Sequence, residues 1–343
     1  MSMLRAKRIV VFNVNWLGDV LFSTPVIRNI RRNFPESYLA CIVPSRCYQV
    51  LRDNPYLDEI IIFDEKDRHR GMLEKLKFVK LLKSKNFDTA FLLHRSFRRA
   101  LICRLAGIRE RIGHYTRKRG FLLTKSFKPP VRDSIHRIDY YLDIIEKAGL
   151  KVEDRFTDFY FRQEDVRFVE DFLSKKGIRE NEFLVGINPG GNWQPKRWPR
   201  EYWAILADSL IDKFHARVFI FGAQSDLKEA TAIAGQMKNK PIIAAGILSL
   251  KQFAVLAKKL DLFITGDTGP LHIANSVGTK NIIAIFGPTD PEITGPFPAK
   301  NAVVIHKWQG CKIPCYNFKC KDNLCMKAVT PQMVMEEVET LKK

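Results

Sequence analysis

The chain has 343 residues, 46% of them hydrophobic and 27% charged. That composition excludes a disordered or low-complexity protein, and the length exceeds one typical domain, so two cores of roughly 150 residues are expected. No apolar run reaches the roughly 18–20 residues needed to span a bilayer. The first apolar run, Ile9-Val10-Val11-Phe12 after Lys7-Arg8, is too short for the core of a signal peptide. A cytoplasmic protein is expected. The net charge is +20 and unevenly spread: residues 1–150 hold 30 Lys/Arg against 15 Asp/Glu, the remaining 193 hold 27 against 22. Residues 95–137 alone carry 13 basic side chains and two acidic ones, Glu110 and Asp133. Such a field suits nucleic acid, a phosphorylated lipid surface or an anionic glycan, unless it is only a solvated face.

In chain order, apolar runs at 8–14, 38–43, 59–63 and 88–93 predict strands, and amphipathic stretches at 20–34, 71–84 and 96–106 predict helices between them. A helix over 134–148 follows, with Ile138, Tyr141, Leu142 and Ile145 forming its apolar stripe before Gly149. After a charged stretch at 151–181, the expected hinge, the pattern restarts. Strands are predicted at 183–188, 217–221, 241–244, 261–265 and 281–286, with helices at 200–213, 227–238, 250–259 and 270–277. A last helix over 331–342 follows a cysteine-bearing loop. Alternating strands and helices imply α/β layers with parallel sheets, whose ligands bind beyond the C-terminal ends of the strands. The strand-to-helix turns are therefore the places to look for chemistry.

Three turns stand out. The first, Asn13-Val14-Asn15-Trp16-Leu17-Gly18-Asp19-Val20, opens the first helix. Gly18 permits a tight turn; Asp19 is either an N-cap or a general base. The second, Asn188-Pro189-Gly190-Gly191-Asn192-Trp193-Gln194-Pro195-Lys196-Arg197-Trp198-Pro199, offers two glycines for close approach and two cations for phosphate. It lacks the spacing of a Walker loop. The third, Thr265-Gly266-Asp267-Thr268-Gly269-Pro270-Leu271-His272-Ile273-Ala274, runs from a strand into a helix whose N-terminus suits a diphosphate. His272 is either a satisfied core histidine or a group facing the ligand.

NWLGDV, NPGGNWQPKRWP and GDTGPLHIA followed by IAIFGPTDP, in this order and spacing, resemble the heptosyltransferases of glycosyltransferase family nine. The KRWP form and the cysteine-bearing tail look more like the type II branch. The resemblance implies the GT-B fold: two Rossmann-like domains facing across a cleft, an acceptor domain at 1–165 and a nucleotide-sugar domain at 166–330. The helix at 331–343 would pack back on the first domain. It implies an inverting, metal-independent transfer of heptose from ADP-heptose, with no cofactor, to the inner core of lipopolysaccharide. Asp19 would be the catalytic base. Lys196, Asp267, Thr268, Gly269, Pro270, Leu271 and His272, with Gly18, would form the donor site. Asp226 is the candidate for the adenosine ribose, with Glu229 as runner-up. Arg95, Arg98, Arg99 and His136 would meet the acid groups of a Kdo-lipid A acceptor. The stretch 114–128, with Arg117, Lys118, Arg119 and Lys125 beside Tyr115, Phe121 and Leu122, would rest on the anionic inner leaflet, making the enzyme peripheral at the cytoplasmic face of the inner membrane.

Two alternatives remain at this point: the same chemistry with another sugar or a protein acceptor, and a non-catalytic nucleic-acid-binding protein. Only the charge supports the latter, and no reading helix or aromatic RNA motif accompanies it, so no nucleic-acid partner is expected. Of the seven cysteines, Cys41, Cys47 and Cys103 read as buried apolar residues. Cys311, Cys315, Cys320 and Cys325 fall within fifteen residues and could bind zinc or an iron–sulfur cluster, although the CxxC knuckle is absent; the resemblance to family nine, whose tails often carry cysteine here, implies a structural role and not a catalytic one.

Overall fold

Twelve β-strands form two all-parallel sheets of six in the computed structural model, which describes residues 6–131, 133–191, 193–299 and 301–342. Asn192 of the second turn lies outside the described residues. The chain divides into two units, Met1–Tyr160 and Phe161–Lys343.

In the first unit the strands are β1 (Arg8–Phe12), β2 (Tyr38–Val43), β3 (Glu59–Ile62), β4 (Thr89–Leu92), β5 (Glu110–His114) and β6 (Lys125–Phe127). They lie in the order β3-β2-β1-β4-β5-β6. The helices are α1 (Leu17–Phe22), α2 (Thr24–Asn33), α3 (Tyr48–Leu51), α4 (Met72–Ser84), α5 (Phe97–Leu105) and α6 (Arg137–Lys147). The strand order reverses between β1 and β4, the crevice where doubly wound sheets bind ligands. Register there pairs Phe12 with Leu92, so the turns after β1 and β4 emerge side by side. Phe78 and Leu82 of α4 and Ala100 and Cys103 of α5 pack with Val10 and Phe12 in one layer of the core.

The second unit repeats the plan. Its strands are β7 (Leu184–Asn188), β8 (Arg217–Ile220), β9 (Ile242–Ile243), β10 (Leu262–Gly266), β11 (Ile282–Phe286) and β12 (Ala302–His306), in the order β12-β11-β10-β7-β8-β9. Its helices are α7 (Gln163–Lys175), α8 (Arg200–Phe214), α9 (Leu227–Ala234), α10 (Leu250–Lys259), α11 (Gly269–Val277), α12 (Pro291–Thr294), α13 (Leu324–Lys327) and α14 (Pro331–Lys342). Here the reversal falls between β7 and β10, with Asn188 beside Thr265.

The unit boundary at 160 lies inside the stretch read as a hinge. Residues 151–160 are strapped to the first unit: Arg28 of α2 reaches Asp154, Asp158 and the Phe156 carbonyl, and Asn29 accepts from the Glu153 amide at 2.8 Å. The final helix packs within the second unit. Val334, Met335 and Val338 of α14 join Trp203, Leu206 and Leu210 of α8 in the second core, Lys213 pairs with Glu339, and Trp198 Nε1 donates to the Val329 carbonyl at 2.7 Å.

Candidate functional site

In the first unit, the turn after β1 is braced on every side. Asn13 is buried and its Nδ2 donates to Ser23 Oγ at 2.8 Å, while its Oδ1 accepts from the Val14 amide at 2.7 Å. Trp16, not Asp19, occupies the N-cap of α1; Asp19 falls in the first turn of the helix. The capping explanation for Asp19 therefore fails. Half-buried, it accepts a hydrogen bond at Oδ1 from the Tyr141 hydroxyl of α6, 3.0 Å away. Burial, followed by the charge of Asp19, pushes the Tyr141 phenol well above its ordinary range, so it stays protonated and donates. Gly18, in the same first turn, belongs to the first unit.

The acceptor candidates divide. Arg95 and Arg98 are exposed; Arg95 lies 3.4 Å from the Tyr140 hydroxyl and Arg98 donates to Glu65 at 3.2 Å. His136 is half-buried and caps α6, its Nδ1 accepting from the Ile138 amide at 3.2 Å. Arg99 is a correction. It is 2% exposed, and its guanidinium is spent on the Asn13 carbonyl and the Asn15 side chain. It holds the turn that carries Gly18 and Asp19 and does not reach an acceptor. The stretch 114–128 needs correcting too: His114, Arg119 and Leu122 are buried. Arg119 donates to the carbonyls of His94 and His114, each at 2.6 Å, and His114 Nε2 lies 2.8 Å from Asp143. Burial draws both Arg99 and Arg119 down to about 10, so both remain charged at neutral pH.

In the second unit, the turns after β7 and β10 are bonded together. Asn188 Nδ2 donates to Thr265 Oγ1 at 3.1 Å and Thr268 Oγ1 at 3.3 Å. Lys196 Nζ donates to Asp267 Oδ2 at 2.6 Å, and Thr294 of α12 donates to the same oxygen at 3.2 Å. His272 Nε2 lies 3.6 Å from Asp267 Oδ1. Burial works to raise the Asp267 pKa, but the hydrogen bond with His272 and the charge of Lys196 win and hold it far below the usual carboxylate range. Asp267 is thus the buried anion that aims Lys196, and His272, 4% exposed, is a satisfied buried histidine supporting it. The Leu271 side chain is fully buried as well, leaving only its backbone near the turn. Thr268 is the N-cap of α11, with Gly269 and Pro270 in the first turn, and its hydroxyl makes no capping bond. The first amides of a helix have no intrahelical partner and carry the positive end of its dipole.

The ribose candidates also separate. Asp226 Oδ2 accepts from the Ala223 amide at 2.9 Å, and its carboxylate presses over the turn after β7: a Cβ on Gly190 would come within 2.9 Å of Asp226 Oδ2, and one on Gly222 within 2.7 Å of the Asp226 Cβ. Glu229 is taken in a two-pronged ion pair by Arg200, at 2.9 and 2.7 Å. Sequence reasoning missed Tyr141, which it read as core stripe, as well as Thr294, His94 and the buried role of Arg119. The four tail cysteines are free, Cys311 exposed and the others half-buried. Among the described residues no three His, Cys, Asp or Glu side chains gather where they could hold a metal.

Residues 75–324 match the family model described as glycosyltransferase family 9 (heptosyltransferase). The chain belongs to glycosyltransferase family 9. This family 9 enzyme is 27% identical to the lipooligosaccharide heptosyltransferase 2 of Haemophilus ducreyi, over 97% of this chain and 99% of that one. It is 26% identical to the lipopolysaccharide heptosyltransferase 2 of Escherichia coli, over 97% and 98%. Among solved structures it resembles the family 9 glycosyl transferase from Veillonella parvula, with TM-score 0.88 and 27% identity over 99% of each chain. The E. coli ADP-heptose lps heptosyltransferase II shares the fold at TM-score 0.79, covering 97% of this chain and 98% of its own. The protein is a GT-B glycosyltransferase.

Proposed function

We propose that this family 9 glycosyltransferase transfers heptose from ADP-heptose to the inner core of lipopolysaccharide with inversion, as a type II-like heptosyltransferase. The observation that carries the reading is a pair of switch-point sites of opposite chemistry. The first unit offers a carboxylate, Asp19, steadied by Tyr141. The second offers a cation, Lys196, aimed by Asp267 beside the N-terminus of α11. An acceptor hydroxyl attacks the anomeric carbon of the donor as its proton passes to Asp19. The bond from that carbon to the diphosphate breaks, and ADP leaves carrying the electron pair. Lys196, the Thr268 hydroxyl and the Gly269 amide stabilise the charge growing on the diphosphate. Asp226 is the ribose contact, because Glu229 is occupied by Arg200. Arg95 and Arg98, both exposed, meet the carboxylates and phosphates of the acceptor.

Among the described residues no helix is long and apolar enough to cross a membrane; the reading places the enzyme at the cytoplasmic face of the inner membrane, where a lipid-linked acceptor is met. Incubation with ADP-heptose and a Kdo-containing lipid acceptor tests it. ADP should form in proportion to heptosylated lipid. A protein that turns over no nucleotide sugar with any such acceptor would contradict it.

A further inference from the structure

The amphipathic helix α4 has its apolar side inward, through Phe78 and Leu82, yet its outer side is not wholly polar. Met72 is 72% exposed, Leu73 74% and Leu76 52%, and they share the outer face with Lys77, Lys80 and Lys83. Its neighbour in the same layer, α5, begins with exposed Phe97, whose ring lies 6.2 Å from that of Phe121, itself 69% exposed. Because the sheet is parallel, the N-termini of α4 and α5 both follow C-terminal strand ends, the edge at which the turn bearing Asp19 also emerges. Exposed cations border this edge: Arg68 and Arg70 before α4, Arg95 and Arg98 around the start of α5, Arg117 and Lys118 before Phe121.

We infer that this edge of the first unit, with α4 as its main element, lies on an anionic lipid bilayer and dips Met72, Leu73, Leu76 and Phe121 below the headgroups. An apolar patch ringed by Lys and Arg is the composition of an interfacial membrane helix. A second copy of the chain would set these cations against themselves in a two-fold contact. A nucleic acid would use the cations but leave a methionine and two leucines in water. The one acidic residue on α4, Glu74, is already paired with Lys77 at 2.7 Å, so nothing on the helix opposes an anionic surface. The inference deepens the proposed function, on which it rests for its purpose: the bilayer that holds a lipid-linked acceptor would touch the edge where Asp19 waits.

Flotation with phospholipid vesicles that contain no acceptor tests it separately from catalysis. The wild-type chain should float with phosphatidylglycerol-containing vesicles and not with pure phosphatidylcholine. Leu73→Asp combined with Leu76→Asp should cut the bound fraction at least about tenfold, and Lys77→Glu combined with Lys80→Glu should do so most strongly at low salt. Both variants should keep the wild-type unfolding midpoint, which certifies their fold, wild-type affinity for ADP and wild-type turnover of a delipidated, water-soluble acceptor. Equal flotation of wild type and both variants, no flotation of the wild type, or a wild-type dimer that the leucine variant splits would each overturn the inference. Failure of turnover with flotation intact would instead count against the proposed activity.

Discussion

Lys196 Nζ and Asp267 Oδ2 lie 2.6 Å apart, a cation on the turn after β7 locked to a buried carboxylate on the turn after β10. The pair fixes where the lysine points before any ligand arrives, so binding a diphosphate costs little side-chain ordering. Lys196 keeps 21% of its side chain exposed and Asp267 only 5%, so the lysine is the member that can share its charge with an anion.

Lys196→Ala is therefore expected to do two things. It should weaken ADP binding at least about tenfold, and it should lower stability by roughly 2–4 kcal/mol because Asp267 is left buried without its main cation. Calorimetric titration with ADP and urea unfolding measure the two effects.

Tyr141→Phe keeps the ring and removes only the hydroxyl that donates to Asp19. Turnover should fall about tenfold through misalignment of the carboxylate, stability should change by about 1 kcal/mol, and ADP affinity should not change. A loss of ADP affinity equal to the loss of turnover would show that Tyr141 serves the fold and not Asp19.

His94, in the turn after β4, is pushed down to about 4 by burial and then by the charge of Arg99. In the unfolded chain it titrates near its ordinary value of about 6.5. Between those values the unfolded state binds more protons, so the neutral imidazole's contribution is complete above about pH 6.5 and is lost as pH falls toward 4. Urea unfolding at pH 4.5 and 7.5 should show a smaller pH difference for His94→Gln than for wild type.

Asp226→Ala should weaken ADP binding by roughly 1–2 kcal/mol, the worth of a charge-assisted hydrogen bond to ribose. Glu229→Ala, which only frees Arg200, should leave ADP affinity within about twofold of wild type. Competition with a fluorescent ADP analogue compares the two directly.

The α/β class and all three candidate turns could be read from the chain because glycines, prolines and apolar runs are local signals. Lys196, Thr268 and Asp19 fall at the two strand-order reversals for the same reason. What escaped is set by contacts distant in sequence. Arg99 and Arg119 sit in a run of thirteen basic residues and look like surface cations, but carbonyls of Asn13, His94 and His114 take them inside. Asp267 and His272 share a turn with Thr268, but the cation that holds Asp267 is Lys196, 71 residues earlier. Strands β5, β6 and β12 were not among those expected. The first two carry Glu110, Arg111, His114 and Lys125, and the charge hides their pairing with β4 and each other. Strand β12 is apolar enough, but it follows a proline-rich loop and pairs only at a sheet edge.

The heptose-transfer rate of Asp19→Asn, a nearly isosteric change, tests the whole account most directly. With ADP-heptose and Kdo-containing lipid, its rate should drop at least about a thousandfold, while its ADP affinity and unfolding midpoint stay near those of wild type. Transfer at close to the wild-type rate would mean that another group takes the acceptor proton, and the assignment of the first unit as the catalytic-base side would be wrong.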